Sequence, residues 1–507
     1  MKKRALAALL CAMLISTLVA CDIEPGGLVG ELLGGNENIV EGVVPEQKYP
    51  DTDMTVGDEQ TWIDQTWPDI ETQGPVEELN PDAYRGYELV IAGQNVVDLG
   101  YEEVEGNVVS VLSYARNHEL RSTYGITVNA VMLEREDLTD MVKNDVTSGT
   151  GEYHMVYGSM CEALNDLMPS GYLYSLYDLP YVDLTSAAWD QSMHEGLAIG
   201  KYLPMATGAI TPDASLQTSL LLFNAQMAEE NGFDLFAYAA YGDWTIDKMY
   251  SVCEITFADL NGDALLELEN DRFGFVGSHL DAQAFATGFG ASLISKDENN
   301  LPMPDTAAMD RMQAAYTGFY KLATSSISYY VTRQESLQNM DALTNCFADG
   351  RALLWASDVQ GALEMMNADT VRYGILPYPK LDQSQVQYCS YVDCQATAVM
   401  VPEHSDSEKL ALAGYALEAM AQISQRLYYD KLAMRVAPTE KDMEMIQLVW
   451  QTKTLDFGSN YFFMSMACSQ SFASAMESGN SSVISQISAE SKRLTKELEM
   501  LKEAAGQ

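Results

Sequence analysis

Apolar and polar positions fall into three textures along the 507 residues. A short basic start, Lys2, Lys3 and Arg4, leads into an apolar run from Ala5 to Leu18 that ends in Leu18-Val19-Ala20-Cys21. That run is short for a bilayer span of about 20 residues. Its layout is that of a secretory signal peptide over residues 1–20. Residues 21–85 are polar, rich in acids, and interrupted by Pro25, Pro45, Pro50, Pro68, Pro75 and Pro81. So few apolar positions cannot offset chain entropy, and the stretch is expected to be a disordered acidic tether in which Trp62 and Trp67 are isolated.

From Gly86 the pattern becomes regular. Tyr87 to Gly93 is a continuous apolar run ended by glycine, the mark of a buried strand. A helical pattern from Val108 to Tyr124, a strand from Ile126 to Val131, a helix bearing Leu138, Met141 and Val142, and a strand from Tyr153 to Gly158 follow. Alternating strands and helices predict a parallel sheet wrapped by helices. Further strands are expected at Leu220–Asn224, Arg272–Gly277, around Leu353–Trp355 and at Tyr373–Pro377. Helices are expected at Ala225–Asn231, after an N-cap at Thr245, and over Thr306–Ala323. The chain beyond Ser407 reads as mostly helical. Its end carries Val483, Ile484, Ile487, Leu494, Leu498 and Leu501 at helical spacing, a face to be docked against a neighbour.

Charge changes this picture. The chain has 73 acidic and 29 basic residues, a formal net charge of −44. Such a surface repels nucleic acid, which is excluded as a partner. It also excludes polybasic docking on a membrane. The eight cysteines contain no C-x-x-C pair, so neither a zinc site nor a redox motif is indicated. Cys389 and Cys394 are the nearest pair in sequence, and both a disulfide and buried free thiols fit them. The sequence has no H-E-x-x-H, no G-x-S-x-G and no P-loop, and paired carboxylates in so acidic a chain select nothing. No enzymatic activity is expected. Asp259-Leu260-Asn261-Gly262-Asp263 has the alternating oxygen donors of a calcium loop, with Asp271 further on. Ala264 stands where the turn glycine belongs and Asn270 where the bidentate Glu belongs, so a polar turn is favoured over a Ca²⁺ site, and no cofactor is expected.

Two resemblances enter here. Leu18-Val19-Ala20-Cys21 resembles a bacterial lipobox, which implies a lipidated Cys21 and an anchor on the extracellular face of the cell membrane. The order of features from Gly86 to Lys502 resembles the maltose-binding-protein-like, carbohydrate class of extracellular solute-binding proteins of ABC importers. It is carried by Tyr124-Gly125-Ile126, Leu221-Leu222-Phe223-Asn224, Trp244-Thr245-Ile246 and Gly288-Phe289-Gly290-Ala291. Phe347-x-x-Gly350-Arg351-Ala352 with Trp355, and Tyr373-Gly374-Ile375-Leu376-Pro377-Tyr378-Pro379, complete the set.

The resemblance implies a two-lobed α/β, periplasmic-binding-protein-like fold over residues 86–507, with a hinge crossed more than once and a ligand cleft between the lobes. Lobe 1 is expected from about 86–220 and 345–395, lobe 2 from about 221–344 and 396–507. Ligands of open α/β sheets sit at the carboxyl ends of strands, which singles out Gln94, Asn95, Tyr157 and Ser159. The resemblance adds Trp189 near the hinge, His279 and Asp281 after a second-lobe strand, Trp355 and Asp358 on the returning strand, and Tyr391 and Asp393 in the late crossover. It implies a monomer that captures a solute, a sugar or oligosaccharide by class, and delivers it to membrane permease subunits. A surface glycan hydrolase and a sensory or adhesive lipoprotein of the same fold are the alternatives.

Overall fold

The computed structural model describes residues 79–506 except 95, 101–106, 135–136, 306–307, 333–339, 369, 405 and 463–467. The signal sequence, Cys21, Trp62, Trp67 and Asn95 lie outside the described residues.

Two sheets form the framework. The first contains β1 (Glu88–Gly93), β2 (Thr127–Met132), β3 (Met155–Ser159) and, out of sequence order, a late strand, Thr397–Met400. β1 pairs in parallel with β2 and β3, and the late strand lies antiparallel on β3. The second sheet begins with β4 (Ser219–Asn224), a wholly buried apolar run, and β5 (Phe273–Ser278). A small ribbon follows, β6 (Ile294–Lys296) with β7 (Pro302–Pro304). Then come β8 (Ser328–Val331), β9 (Ala352–Asp358) and β10 (Tyr373–Leu376). The order in the second sheet is β10-β4-β9-β5-β8, parallel across β9-β5-β8 and antiparallel elsewhere. β11 (Ser390–Tyr391) pairs with β13 (Lys453–Thr454), and the late strand of the first sheet is β12.

The segment 345–395 therefore contributes its strand β9 to the second sheet, and 396–507 contributes β12 to the first. This reverses the lobe allocation expected from sequence. The cause is long-range pairing: β9 fits between β4 and β5, and β12 caps the open edge of β3.

Local signals place the helices. Asn107 accepts from the amides of Val109 and Ser110 and starts the Val108–Glu119 helix. Thr245 caps Ile246–Thr256 by accepting from Lys248 N, while the preceding Trp244 is fully buried and donates Nε1 to Pro377 O at 3.0 Å. The Ile484–Ala504 helix buries Val483, Ile487, Leu494, Leu498 and Leu501 as a docked face, and leaves Ile484 exposed. Residues 79–85, expected to end the tether, are folded onto the first lobe. Leu79 is buried, Tyr415 donates to Asn80 O at 2.5 Å, and the Tyr84 and Tyr415 rings lie 4.9 Å apart.

No helix among the described residues is long and apolar enough to cross a membrane.

Candidate functional site: the seam between the sheets

Strand direction brings the functional ends together. β12 begins where β3 ends, with Thr397 opposite Ser159. β4 begins where β9 ends, with Ser219 opposite Asp358. The two segments that join the sheets, 212–218 and 392–396, run side by side between these ends. Thr218 bridges Val392, Asp393 N donates to Gln217 O at 3.1 Å, and Val359 N donates to Thr218 O at 3.1 Å. The carboxyl ends of β3 and β9 thus open onto one seam, the place where open α/β sheets bind ligands.

The first sheet supplies Tyr157 and Ser159. Tyr157 is fully buried and its hydroxyl has no hydrogen-bond partner. Burial pushes it up to about 12. Ser159 lies within 3.5 Å of both Cys161 Sγ and Cys394 O. Gln94 follows the end of β1 directly and is partly exposed.

The crossovers supply Asp213, Tyr391 and Asp393. Asp213 Oδ2 accepts from Thr397 N at 2.9 Å, Thr397 Oγ1 at 3.0 Å and Gln217 Nε2 at 2.8 Å. Tyr391 is buried and its hydroxyl accepts from Cys394 N. Asp393 accepts from Gln395 N at 2.8 Å, and burial raises it, with Asp213 adding to the effect.

The second sheet supplies Asp281 and Asp358. Asp281 Oδ2 accepts from Ser278 N at 2.6 Å and Ser278 Oγ at 3.2 Å, closing a capping box over His279–Asp281. Burial pushes it up to about 7, and the nearby Asp358 pushes the same way. Asp358 accepts from Gly361 N at 2.8 Å and is pushed up to about 6 by burial, helped by Glu364, Asp393 and Asp213. His279 heads the same turn and is partly exposed.

Trp189 is buried and bridges Gly208 in a segment that also pairs with β12 through Ala206 and Val399. Its neighbour Asp190 reaches the seam through Lys453, described below. Trp355 stands apart from these groups. It sits mid-strand opposite Leu222 and Val276, with its ring 5.6 Å from Phe347. Asp358 lies three positions further on, so the alternation of the strand turns the two to opposite faces.

Three seam residues were not singled out from sequence. Asp98, on the short Val96–Leu99 helix after β1, is fully buried. Its Oδ1 accepts from Asp213 N at 3.4 Å, Oδ2 has no partner, and burial followed by Asp213 pushes it up to about 8. Tyr378 is buried, its hydroxyl has no partner, and burial with the nearby Asp281 and Asp358 raises it. Asp213 is the third. The signals were present: Tyr378 lies in the quoted Tyr373–Pro379 stretch, and Pro212-Asp213 opens a helix.

The Asp259–Asp271 loop directs its carboxylates at its own backbone. Asp259 accepts from Gly262 N and Ala264 N, Asp263 from Leu265 N, and Asp271 from Leu260 N and Glu267 N. Among the described residues no cluster of three or more His, Cys, Asp or Glu side chains is placed to hold a metal ion.

No protein-family model matches the chain, and no curated relative matches it. Solved structures do match. The maltose/maltodextrin-binding domain of Bdellovibrio bacteriovorus bound to maltotriose superposes with a TM-score of 0.52 at 14% identity, covering 81% of this chain and 100% of that one. The cyclic α-maltosyl-1,6-maltose binding protein of Arthrobacter globiformis gives 0.53 at 13% identity, covering 82% and 99%. A Listeria monocytogenes ABC substrate-binding protein in complex with cycloalternan gives 0.52 at 12% identity, covering 82% and 99%. The chain therefore has the two-lobed α/β fold of the maltodextrin-binding type of solute-binding protein.

Proposed function

We propose that this protein is the extracellular substrate-binding component of an ABC importer, anchored through a lipid on Cys21, that captures a sugar or oligosaccharide and hands it to membrane permease subunits. The observation that carries the reading is the seam: the carboxyl ends of β3 and β9 meet across paired crossovers and present carboxyl and tyrosine hydroxyl groups there. Carboxylates accept hydrogen bonds from sugar hydroxyls, and tyrosines offer both an apolar face and a polar tip. The structural neighbours that bind saccharides support the same class. The action is binding and lobe closure about the crossovers, with no covalent step.

The test is a thermal-shift and calorimetric screen of the purified protein against mono- and oligosaccharides, with amino acids and short peptides as controls. A saccharide at a hundredfold excess over its Kd stabilises by about 2.7 kcal/mol. Saccharide binding without turnover is the expected result. Peptide or amino-acid binding in its place overturns the ligand class, and saccharide turnover overturns the binding-protein reading.

A further inference from the structure

We infer that the seam takes a solute carrying a cationic group, an aminated saccharide, in preference to neutral or anionic ones; the inference rests on the sugar-binding reading above. Five aspartates reach the seam: Asp98 from the end of β1, Asp213 and Asp393 from the crossovers, and Asp281 and Asp358 from the ends of β5 and β9. They are mutually close. Asp98 Oδ1 touches Asp213 N. Asp358 stands opposite Ser219 at the end of the crossover that carries Asp213, Asp393 N donates to Gln217 O while Gln217 Nε2 donates to Asp213 Oδ2, and Asp281 follows β5, the parallel neighbour of β9.

Two buried cations at the crossovers, Arg116 and Lys453, are already engaged. Arg116, fully buried, donates to Asp98 O at 2.8 Å and Ile210 O at 3.1 Å, so its guanidinium is held on main-chain carbonyls. Lys453 is held by Asp190 and Ser215. Carboxyl groups crowded in this way hold on to protons because their charges would repel, and an incoming ammonium favours their ionised form where a carboxylate or phosphate opposes it.

Two buried tyrosine hydroxyls beside the acids are a second observation. Tyr157 and Tyr378 are both at most 1% exposed and neither hydroxyl has a protein partner. Tyr157 lies in the field of Asp98, and Tyr378 in that of Asp281 and Asp358. Buried hydroxyls without partners are costly unless something bonds them. Saccharide hydroxyls supply that bond, and an ammonium, with three N–H donors, supplies the charge.

The experiment is isothermal calorimetry of the purified protein with four saccharide sets of matched length: glucosamine oligomers, their N-acetylated counterparts, maltooligosaccharides and oligogalacturonates. The expected result is at least tenfold tighter binding of the glucosamine oligomers than of the N-acetylated ones, with no binding of the oligogalacturonates. Asp358→Asn and Asp281→Asn are each expected to remove most of that preference while thermal unfolding shows the variant folded. Neutral saccharides binding as well as or better than aminated ones overturn this inference and leave the sugar-binding reading standing. Binding of oligogalacturonates overturns it as well. No binding by any saccharide overturns both.

Discussion

Lys453 donates from Nζ to Asp190 Oδ1 at 2.9 Å, with the two side chains 3% and 7% exposed. The same ammonium donates to Ser215 Oγ at 2.8 Å. One cation thus pins three stretches far apart in sequence: the Trp189 segment, the Pro212–Leu216 crossover helix and β13. Removing one partner of a buried pair leaves the other charge uncompensated, at a cost of about 3–5 kcal/mol. Lys453→Met is expected to destabilise by that order in urea unfolding. Lys453→Met with Asp190→Asn is expected to recover much of the loss. A single variant as stable as the parent would show that the pair does not hold the crossover.

Asp98 sets a pH dependence with a defined sign. Its carboxyl is pushed up to about 8 in the folded chain from an ordinary 3.8, by burial first and Asp213 next. The folded state therefore keeps a proton that the unfolded state has released. The stabilisation from this group is complete below about pH 4 and is lost as pH rises through 8. Asp98→Asn stays neutral throughout. The Tm of the variant minus that of the parent is expected to grow by several degrees between pH 5 and pH 8 in buffers of equal ionic strength. A difference that is flat or shrinks over that range contradicts the assignment.

Gly196 shows how closely the Trp189 segment and the C-terminal region are packed. A Cβ at this position would fall on the carbonyl oxygen of Leu455. Tyr461 fixes the same contact by donating to Leu197 O at 2.6 Å. Gly196→Ala is expected to cost about 1–3 kcal/mol, the usual range for overpacking, read by chemical denaturation. Gly318→Ala is a comparison at which the added Cβ meets only ordinary van der Waals contacts.

Cys394 has its thiol partner far off in the chain. Cys161 N donates to Cys394 O at 3.0 Å, and the Cys394 thiol is the first of the groups that shift the Cys161 thiol. Cys389, the nearest cysteine in sequence, has its thiol against Thr454. Cys161, Cys253, Cys346, Cys389 and Cys394 are free thiols. A thiol oxidant such as diamide, which takes two electrons and two protons from a thiol pair, is expected to link Cys161 to Cys394. A non-reducing peptide map reads the product. A Cys389–Cys394 link in its place would contradict the packing described.

Most strands were legible because they are continuous apolar blocks closed by Gly or Asn, as at Leu220–Asn224 and Tyr87–Gly93. Thr245 was legible as an N-cap because its role is local. Sheet membership was not. Nothing within Ala352–Asp358 states that its partners are β4 and β5, because pairing is a long-range choice. The seam was half legible. Tyr157 and Ser159 follow from a strand end, and Asp281, Asp358 and Asp393 from the family resemblance, whereas Asp98 and Asp213 come together only after the crossover helix has packed beside β1. Trp355, singled out by the resemblance, has its ring 5.6 Å from that of Phe347 and sits mid-strand, a placement that no local signal states. Lys453 sits in a two-residue strand inside a stretch that reads as helix, and carries no local signal.

The late arrival of β12 has a consequence for how the chain matures. The first sheet has β3 at an open edge until Thr397–Met400 pairs with it, and the whole second sheet is made between the two. A chain emerging from its amino end exposes that edge, with unpaired N–H and C=O groups, from the completion of β3 at Ser159 until Thr397 emerges. Unpaired edges recruit other strands. Assembly of the first lobe is thus tied to completion of the second, and a chain cut short before residue 397 leaves a sticky half-sheet rather than a smaller working lobe.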